Sequence, residues 1–446
     1  MRTVVFLPYH GIGHFNACFK IAKILQVDHN IVFAGLSLFE EYVEGQGFFY
    51  YSLQTVPFGL GLEPWLNTVE KKKNIYFHSL KDRWTGRLYK LREIDLSRLL
   101  EEVNPQCILI DYLQSTDLIA FYPYAKKNGI KIGFIQTMLP QIARKNCPPI
   151  NSSVFPDDRK EMNKARIWFY FSRFAKGLGE KIKFLGMSNS RMIEMSKKLN
   201  QMSGEYDSKE ITPYAVPFNN IDEFVLAPRE FDFPLNSKSA FEHYIGFMPD
   251  EERNEAFDKP YKAIQNRLKA SRDPLIYCSF GTVKLENTIA VESFLKKLIN
   301  VVRNKPCFLL ISITATQHRT VNYELPKNVL CLKSAPQLEI LSKASLFITH
   351  GGLNSIKEAV YACVPMLVYP LNPKMDQKGN STRVVFHQLG LRGNLWKDPE
   401  ELIKKKIDEL LGNPMYKQKI QALKVIDRSY TPEKFKELFD GIKPLS

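Results

Sequence analysis

The chain has 446 residues and a mass of 51.6 kDa, too long for one hydrophobic core and suited to two domains of roughly 200 residues each. With 44% hydrophobic and 24% charged residues its composition is that of a globular protein, which excludes large disordered parts. A net charge of +15 fits phosphate-bearing ligands, anionic lipid or nucleic acid, or a merely solvated lysine-rich surface; without a Cys/His finger or RNP-like segment, nucleic acid is the weakest of these.

No apolar run approaches the roughly 18 residues of a membrane span. The N-terminus reads as a strand and not as a signal peptide, because Pro8 and His10 interrupt it early. Seven cysteines without a C-x-x-C pair, four of them (Cys107, Cys278, Cys307, Cys331) in or beside apolar runs, read as buried free thiols. The expectation is a cytoplasmic protein.

Val4 to Leu7 is an apolar run of the kind found in parallel strands buried on both faces. The turn HGIGHFN follows, and then Phe15, Cys18, Phe19, Ala22 and Leu25 repeat at helical spacing. Gly11 and Gly13 form only part of a dinucleotide fingerprint, since Asn16 holds the third position. His14, at the head of the helix, is by itself a capping or core histidine as readily as a reactive one. His10 and His14 lack an evident third metal ligand, so no metal site is expected.

His29 to Ala34, Phe48 to Ser52, Cys107 to Ile110 and Ile130 to Ile135 supply further strands, with helices near Leu88 to Glu102 and Thr116 to Lys127. The alternation indicates a parallel sheet. Asp111 ends the fourth strand, and Gln136 and Thr137 close the fifth at the same sheet edge. Trp65, Tyr76, Phe77 and Trp84 lie in a stretch read as loop-rich.

From Pro140 to about Lys183 the alternation breaks. Arg159 to Lys183 holds eight basic and two acidic residues among many rings. Segment 159–187 suits an amphipathic helix on an anionic membrane, an aromatic pocket wall, or plain core packing. Pro213, Pro217, Pro228 and Pro234 punctuate a poorly patterned region before Phe241 to Ile245, and a boundary is placed at Gly246.

Leu275 to Phe280 opens a second sheet and runs into Ser279-Phe280-Gly281-Thr282. Phe308 to Ser312 and Val329 to Leu332 continue it. Pro336-Gln337 then starts a helix, Leu346 to Thr349 is a strand, and His350-Gly351-Gly352 opens the next helix. Met366 to Tyr369 is another strand, followed by a Pro-bounded loop ending in Asp376-Gln377. Loops leaving the carboxyl ends of strands are where open α/β sheets bind ligands.

The chemistry of this stretch suits a nucleotide diphosphate carrying a sugar. Gly351 and Gly352 permit close backbone approach, and the free N–H groups of the next helix form an anion site. His350, Asn354 and Ser355 can add hydrogen bonds to the phosphates. Glu358 suits ribose hydroxyls, and Asp376 with Gln377 suits the hydroxyls of a sugar ring.

Pro336, Gln337, His350, Gly351, Asn354, Ser355, Glu358, Pro365, Pro370, Asp376, Gln377 and Asn380 occur in the order of a known signature. In these residues the chain resembles the UDP-glycosyltransferases, the inverting family 1 enzymes, in particular the bacterial macrolide and natural-product type. Two departures stand out. Ser334 occupies the place of the family's uracil-stacking Trp, and the Pro370 to Asp376 loop is two residues longer than usual.

The resemblance implies a GT-B type α/β fold, two Rossmann-like domains facing across a cleft. The expected bounds are an acceptor-binding domain at 1–245, a nucleotide-sugar-binding domain at 246–430, and a C-terminal helix at 431–446 packing back on the first. It implies a hexosyltransferase that moves a hexose, glucose before others, from UDP to a hydroxyl of a small lipophilic acceptor. His14 would be the general base and Asp111 its orienting acid, with Thr137 near the sugar.

The donor site implied by the resemblance comprises Gly13, Ser279, Gly281, Thr282, Ser334, Ala335, Gln337, His350, Gly351, Gly352, Asn354, Ser355, Glu358, Asp376 and Gln377. Segment 159–187 would line the acceptor pocket, with peripheral membrane contact the other reading. No cofactor or metal is expected, since the chain has no D-x-D motif and the nucleotide sugar is a co-substrate. The competing readings are a nucleotide-sugar epimerase and a non-catalytic nucleotide-sugar or lipid-binding protein on the same fold.

Overall fold

A computed structural model describes residues 1–141, 147–234, 239–255, 259–270, 273–281, 288–313, 325–372 and 374–445. Strands β1 (Arg2–Leu7), β2 (His29–Leu36), β3 (Phe49–Leu53), β4 (Cys107–Asp111), β5 (Lys131–Gln136), β6 (Asp222–Val225) and β7 (Glu242–Tyr244) form one parallel sheet in the order β3-β2-β1-β4-β5-β6-β7. Strands β8 (Leu275–Ser279), β9 (Phe308–Ser312), β10 (Val329–Leu332), β11 (Leu346–Thr349), β12 (Met366–Val368) and β13 (Gly390–Arg392) form a second, ordered β10-β9-β8-β11-β12-β13. The protein is therefore α/β, with two Rossmann-like domains. Each strand order reverses once, between β1 and β4 and between β8 and β11, and such reversals open a crevice at the carboxyl edge.

The central strands are buried on both faces because helices cover both sides, which is why β4 (CILID) and β8 (LIYCS) are nearly continuous apolar runs. The helix Ile12–Gln26 buries Phe15, Phe19 and Leu25 against one face of the first sheet. Cys18, Cys107, Cys147, Cys278 and Cys307 are buried free thiols, whereas Cys331, expected to be buried with them, and Cys363 are free but only half-buried. Among the described residues no helix is long and apolar enough to cross a membrane.

Three local readings are corrected. The stretch around Trp65 to Trp84 is helical, Glu63–Val69 and Ile75–Thr85. Its inward face is polar, with Asn67 bonded to Asp82 at 2.8 Å and Arg83 paired with Glu63 at 3.0 Å, so no apolar period announces it. Asn74 caps the second helix by accepting the Phe77 N–H, and Gly86 ends it in the left-handed conformation. Strands β6 and β13 also went unread, being too short for any period to appear.

The C-terminal helix, Pro432–Asp440, crosses back to the first sheet as expected. Phe435 and Phe439 are buried in the same cluster as Phe224 and Ile245, and the Phe224 and Phe435 rings meet edge to face at 5.6 Å. Lys131 at the start of β5 donates to the Asp440 carbonyl at 2.8 Å. Phe435→Ala should cost roughly 3–5 kcal/mol of stability through the cavity it leaves. Denaturant melts would check this, and a loss below about 1 kcal/mol would mean the helix is not part of the core.

Candidate functional site

At the first switch point, β1 feeds the turn that carries His14 in the first turn of Ile12–Gln26, while Asp111 is the last residue of β4. His14 Nδ1 lies 2.7 Å from Asp111 Oδ2 and 2.9 Å from Thr137 Oγ1. The Thr137 hydroxyl donates to the same Asp111 oxygen at 3.0 Å, and the Leu113 N–H donates to the other at 2.9 Å. A carboxylate only accepts, so Nδ1 carries the hydrogen and Nε2 keeps its lone pair. The Asp111 side chain is fully buried, whereas that of His14 is 22% exposed.

Burial acts to lower the His14 pKa, but the charge and hydrogen bond of Asp111, aided by Asp376, outweigh it and raise the pKa above 6.5. His10 goes the other way, down to about 4, through burial, repulsion from His14 when that ring is protonated, and the charge of Arg92. Tyr9 lies tilted against His10 with ring centroids 3.8 Å apart and meets His14 edge-on at 5.4 Å. Thr137 thus belongs to the His14 and Asp111 cluster.

The second switch point supplies two loops. After β8 come Ser279 and Gly281, whose N–H donates to the Ser279 hydroxyl at 3.4 Å; Thr282 lies outside the described residues. After β11 come His350, Gly351 and Gly352, then the helix Leu353–Tyr361 with Ser355 near its start and no side chain capping it. Its first N–H groups are left for an anion. Gly281 (φ +71) and Gly351 (φ +85) are left-handed, and a Cβ would sit 2.6 Å from His350 Cε1 at the first and 2.7 Å from Val368 Cγ1 at the second. Neither position accepts a side chain.

His350 is 6% exposed, and its Nδ1 has no partner among the described residues. Burial pushes its pKa down to about 4, so the ring is neutral near pH 7 and offers one N–H. Asp376 faces His14 closely enough to raise that group's pKa, while burial raises its own. Its Oδ2 accepts the Asn380 amide at 2.8 Å, and the same amide reaches the Gly351 carbonyl at 2.9 Å, tying the Asp376 loop to the His350-Gly351-Gly352 loop.

Several side chains are engaged otherwise than sequence reasoning proposed. Both Glu358 oxygens are taken, one by Arg253 at 2.8 Å and the other by the Gln337 amide at 2.6 Å. Asn354 donates to the Gly13 carbonyl at 2.5 Å, joining the two sheets' loops across the gap. Gln377 Oε1 accepts the Leu371 and Asn372 N–H groups at 2.8 and 2.9 Å, which closes the lengthened loop. Ser334 and Ala335 are half-buried in the turn before Gln337 and supply no ring.

Arg253 and Glu255 went unread. Arg253 spans Glu255 and Glu358, and Glu255 accepts the Leu338 N–H at 2.9 Å, so the connection between the sheets lies against the Gln337 and Glu358 end of the site. An ion pair across 105 positions leaves no local pattern in the sequence. Lys357, beside Glu358, is buried without a partner for its Nζ among the described residues, and burial lowers its pKa to about 7.

Residues 247–434 match the family model described as UDP-glucoronosyl and UDP-glucosyl transferase. Among curated relatives, an uncharacterized UDP-glucosyltransferase of Bacillus subtilis is 24% identical over 63% of this chain and 72% of its own length. A second from that organism is 28% identical over 54% and 58%, and the mouse UDP-glucuronosyltransferase 3A2 is 26% identical over 58% and 51%. The chain thus spans little more than half of those last two. Among solved structures, the glycotransferase of kitacinnamycin superposes with TM-score 0.71 at 16% identity over 99% of both chains. Glycosyltransferase VinC in complex with dTDP does so at 0.63 and 14%, also over 99% of both, and these likenesses carry the GT-B fold.

The His14 imidazole, followed by NMR, should titrate with a midpoint above 6.5, and Asp111→Asn should lower that midpoint. A wild-type midpoint at or below 6.5 would mean that burial outweighs the carboxylate.

Proposed function

We propose that this chain, whose residues 247–434 match the UDP-glucoronosyl and UDP-glucosyl transferase model, is a UDP-glycosyltransferase: a hexosyltransferase that moves glucose from UDP-glucose to a hydroxyl of a small lipophilic acceptor, with inversion at the anomeric carbon. The observation that carries this reading is the His14 and Asp111 pair lying opposite His350, Gly351 and Asp376. His14 Nε2 takes the acceptor's hydroxyl proton as its oxygen bonds to the anomeric carbon, and the bond to the diphosphate breaks with its electron pair leaving on the phosphate. Asp111 holds the tautomer and stabilises the imidazolium.

The leaving diphosphate is met by the helix N-terminus at Gly352, by His350 and by Ser355, donors fixed before the reaction begins. Asp376 and Gln377 take the hexose hydroxyls. Gln337 and Glu358 take the ribose, which requires Arg253 to yield one Glu358 oxygen. The seven free thiols fit a reducing cytoplasm. An epimerase or a non-catalytic binder on this fold is not favoured, since neither calls for a base and acid pair beside an acceptor cavity. Solved neighbours in complex with thymidine diphosphate make TDP-sugars the second donor to test.

His14→Ala should lower kcat by roughly 10²- to 10⁴-fold with donor binding kept. Because the base must be neutral, kcat/KM should fall as pH drops through the raised His14 pKa, and an acid limb at or below pH 6.5 would argue against it. Thermal shifts against UDP-, TDP- and GDP-sugars test the donor directly, since saturation at one hundred times Kd adds about 2.7 kcal/mol. Silence across that panel from folded protein would overturn the donor site. Glu358→Ala should raise the donor's KM more than it lowers kcat; the reverse would leave Glu358 as a partner of Arg253 alone.

A further inference from the structure

The helix Arg159–Lys183, which connects β5 to β6, is packed on one side only. Met162 and Phe169 are buried, Arg173 donates to the Pro213 carbonyl at 3.0 Å, and just beyond the helix Phe184 lies under the Arg83 guanidinium. The other side carries Ile167, Phe171, Phe174, Leu178 and Ile182, spaced every three or four residues, with Trp168 beside Phe171. These six are 50–71% exposed, an outward apolar stripe where a globular helix normally turns polar residues to water.

Lys160 and Lys164 stand at one end of the stripe, and Lys176, Lys181 and Lys183 stand further along the helix, all exposed. The helix keeps a large positive excess, opposed only by Glu161, which pairs with Lys164, and Glu180, which turns to Asn189. Behind the helix lies a cavity of about 900 Å³. Phe174 belongs to both the stripe and the cavity wall, and Tyr214, also on the wall, donates its hydroxyl to the Lys374 carbonyl, two residues from Asp376.

We propose that this stripe seats the protein on an anionic bilayer surface, apolar side chains at the acyl boundary and lysines among headgroup phosphates, with the cavity opening beside the contact. The charge selects this occupant. A second copy of the helix would bring eight basic and two acidic residues against the same excess, whereas anionic lipid complements it. If the transferase reading above holds, the acceptor is a lipid-soluble alcohol drawn from that leaflet; the bilayer contact itself does not depend on it.

Sedimentation of the full chain with phosphatidylglycerol/phosphatidylcholine vesicles, and with phosphatidylcholine alone, tests the contact. Binding should be at least about tenfold stronger to the anionic vesicles and should weaken with added salt. Phe171→Ser/Leu178→Ser/Ile182→Ser, all at exposed positions, should lose about tenfold or more of the bound fraction at an unchanged melting temperature. Lys160→Gln/Lys164→Gln/Lys181→Gln should remove the anionic preference. Equal binding by the serine variant, absence of vesicle binding, or a wild-type dimer that the serine variant alone dissociates would each overturn the proposal. A donor-induced thermal shift, measured in parallel without vesicles, reports on the transferase reading separately.

Discussion

The carboxyl edges of two parallel sheets are held against each other, and the rest of the site depends on that apposition. Asn354 at the head of one loop helix bonds to the Gly13 carbonyl at the head of the other. Away from the gap, Arg383 donates twice to Asp232, at 2.8 and 2.6 Å, with both side chains buried and the second Asp232 oxygen accepting the Tyr244 hydroxyl at 2.9 Å. Removing one partner of such a buried ion pair strands the charge of the other. The backbones are close as well, since a Cβ at Gly379 would fall 1.8 Å from the Ile150 carbonyl oxygen.

Within that frame, environment sorts three histidines of the same chemistry into different states. Burial leaves His350 and His10 with pKa values near 4, so both are neutral hydrogen-bonding groups at pH 7. His14, with a buried carboxylate on Nδ1 and Asp376 nearby, is pulled upward. The group proposed to accept a proton is the one whose cationic form the site stabilises, and the group proposed to meet phosphate is the one that burial keeps uncharged. Asp111 produces the distinction, and Thr137 together with the Leu113 N–H fixes Asp111.

The helix Arg159–Lys183 sits where a doubly wound fold would place an ordinary crossover, yet it has two working faces. One borders a large cavity whose wall includes Tyr214, bonded to the Lys374 carbonyl, and the other turns rings and aliphatic side chains outward among lysines. Outward rings on a soluble surface carry a solvation cost, so they mark a face that has something to cover it.

The sequence by itself determined most strands of the two sheets and most of the loops at their edges. Buried parallel strands are apolar runs, and a tight turn with no room for a Cβ calls for glycine, so β4, β8, β11 and the His350-Gly351-Gly352 turn are visible without coordinates. His14 was visible only in the light of the distant signature, as a lone histidine at a helix start carries no local mark. Partnerships across long separations were decided by the tertiary structure alone: Thr137 with His14 and Asp111, Arg253 with Glu358, Asn354 with Gly13, and Gln377 with its own loop. So was the outward direction of the Ile167 to Ile182 stripe, because the spacing of apolar residues gives the side of a helix they share, and only the packing of its neighbours decides which side meets water.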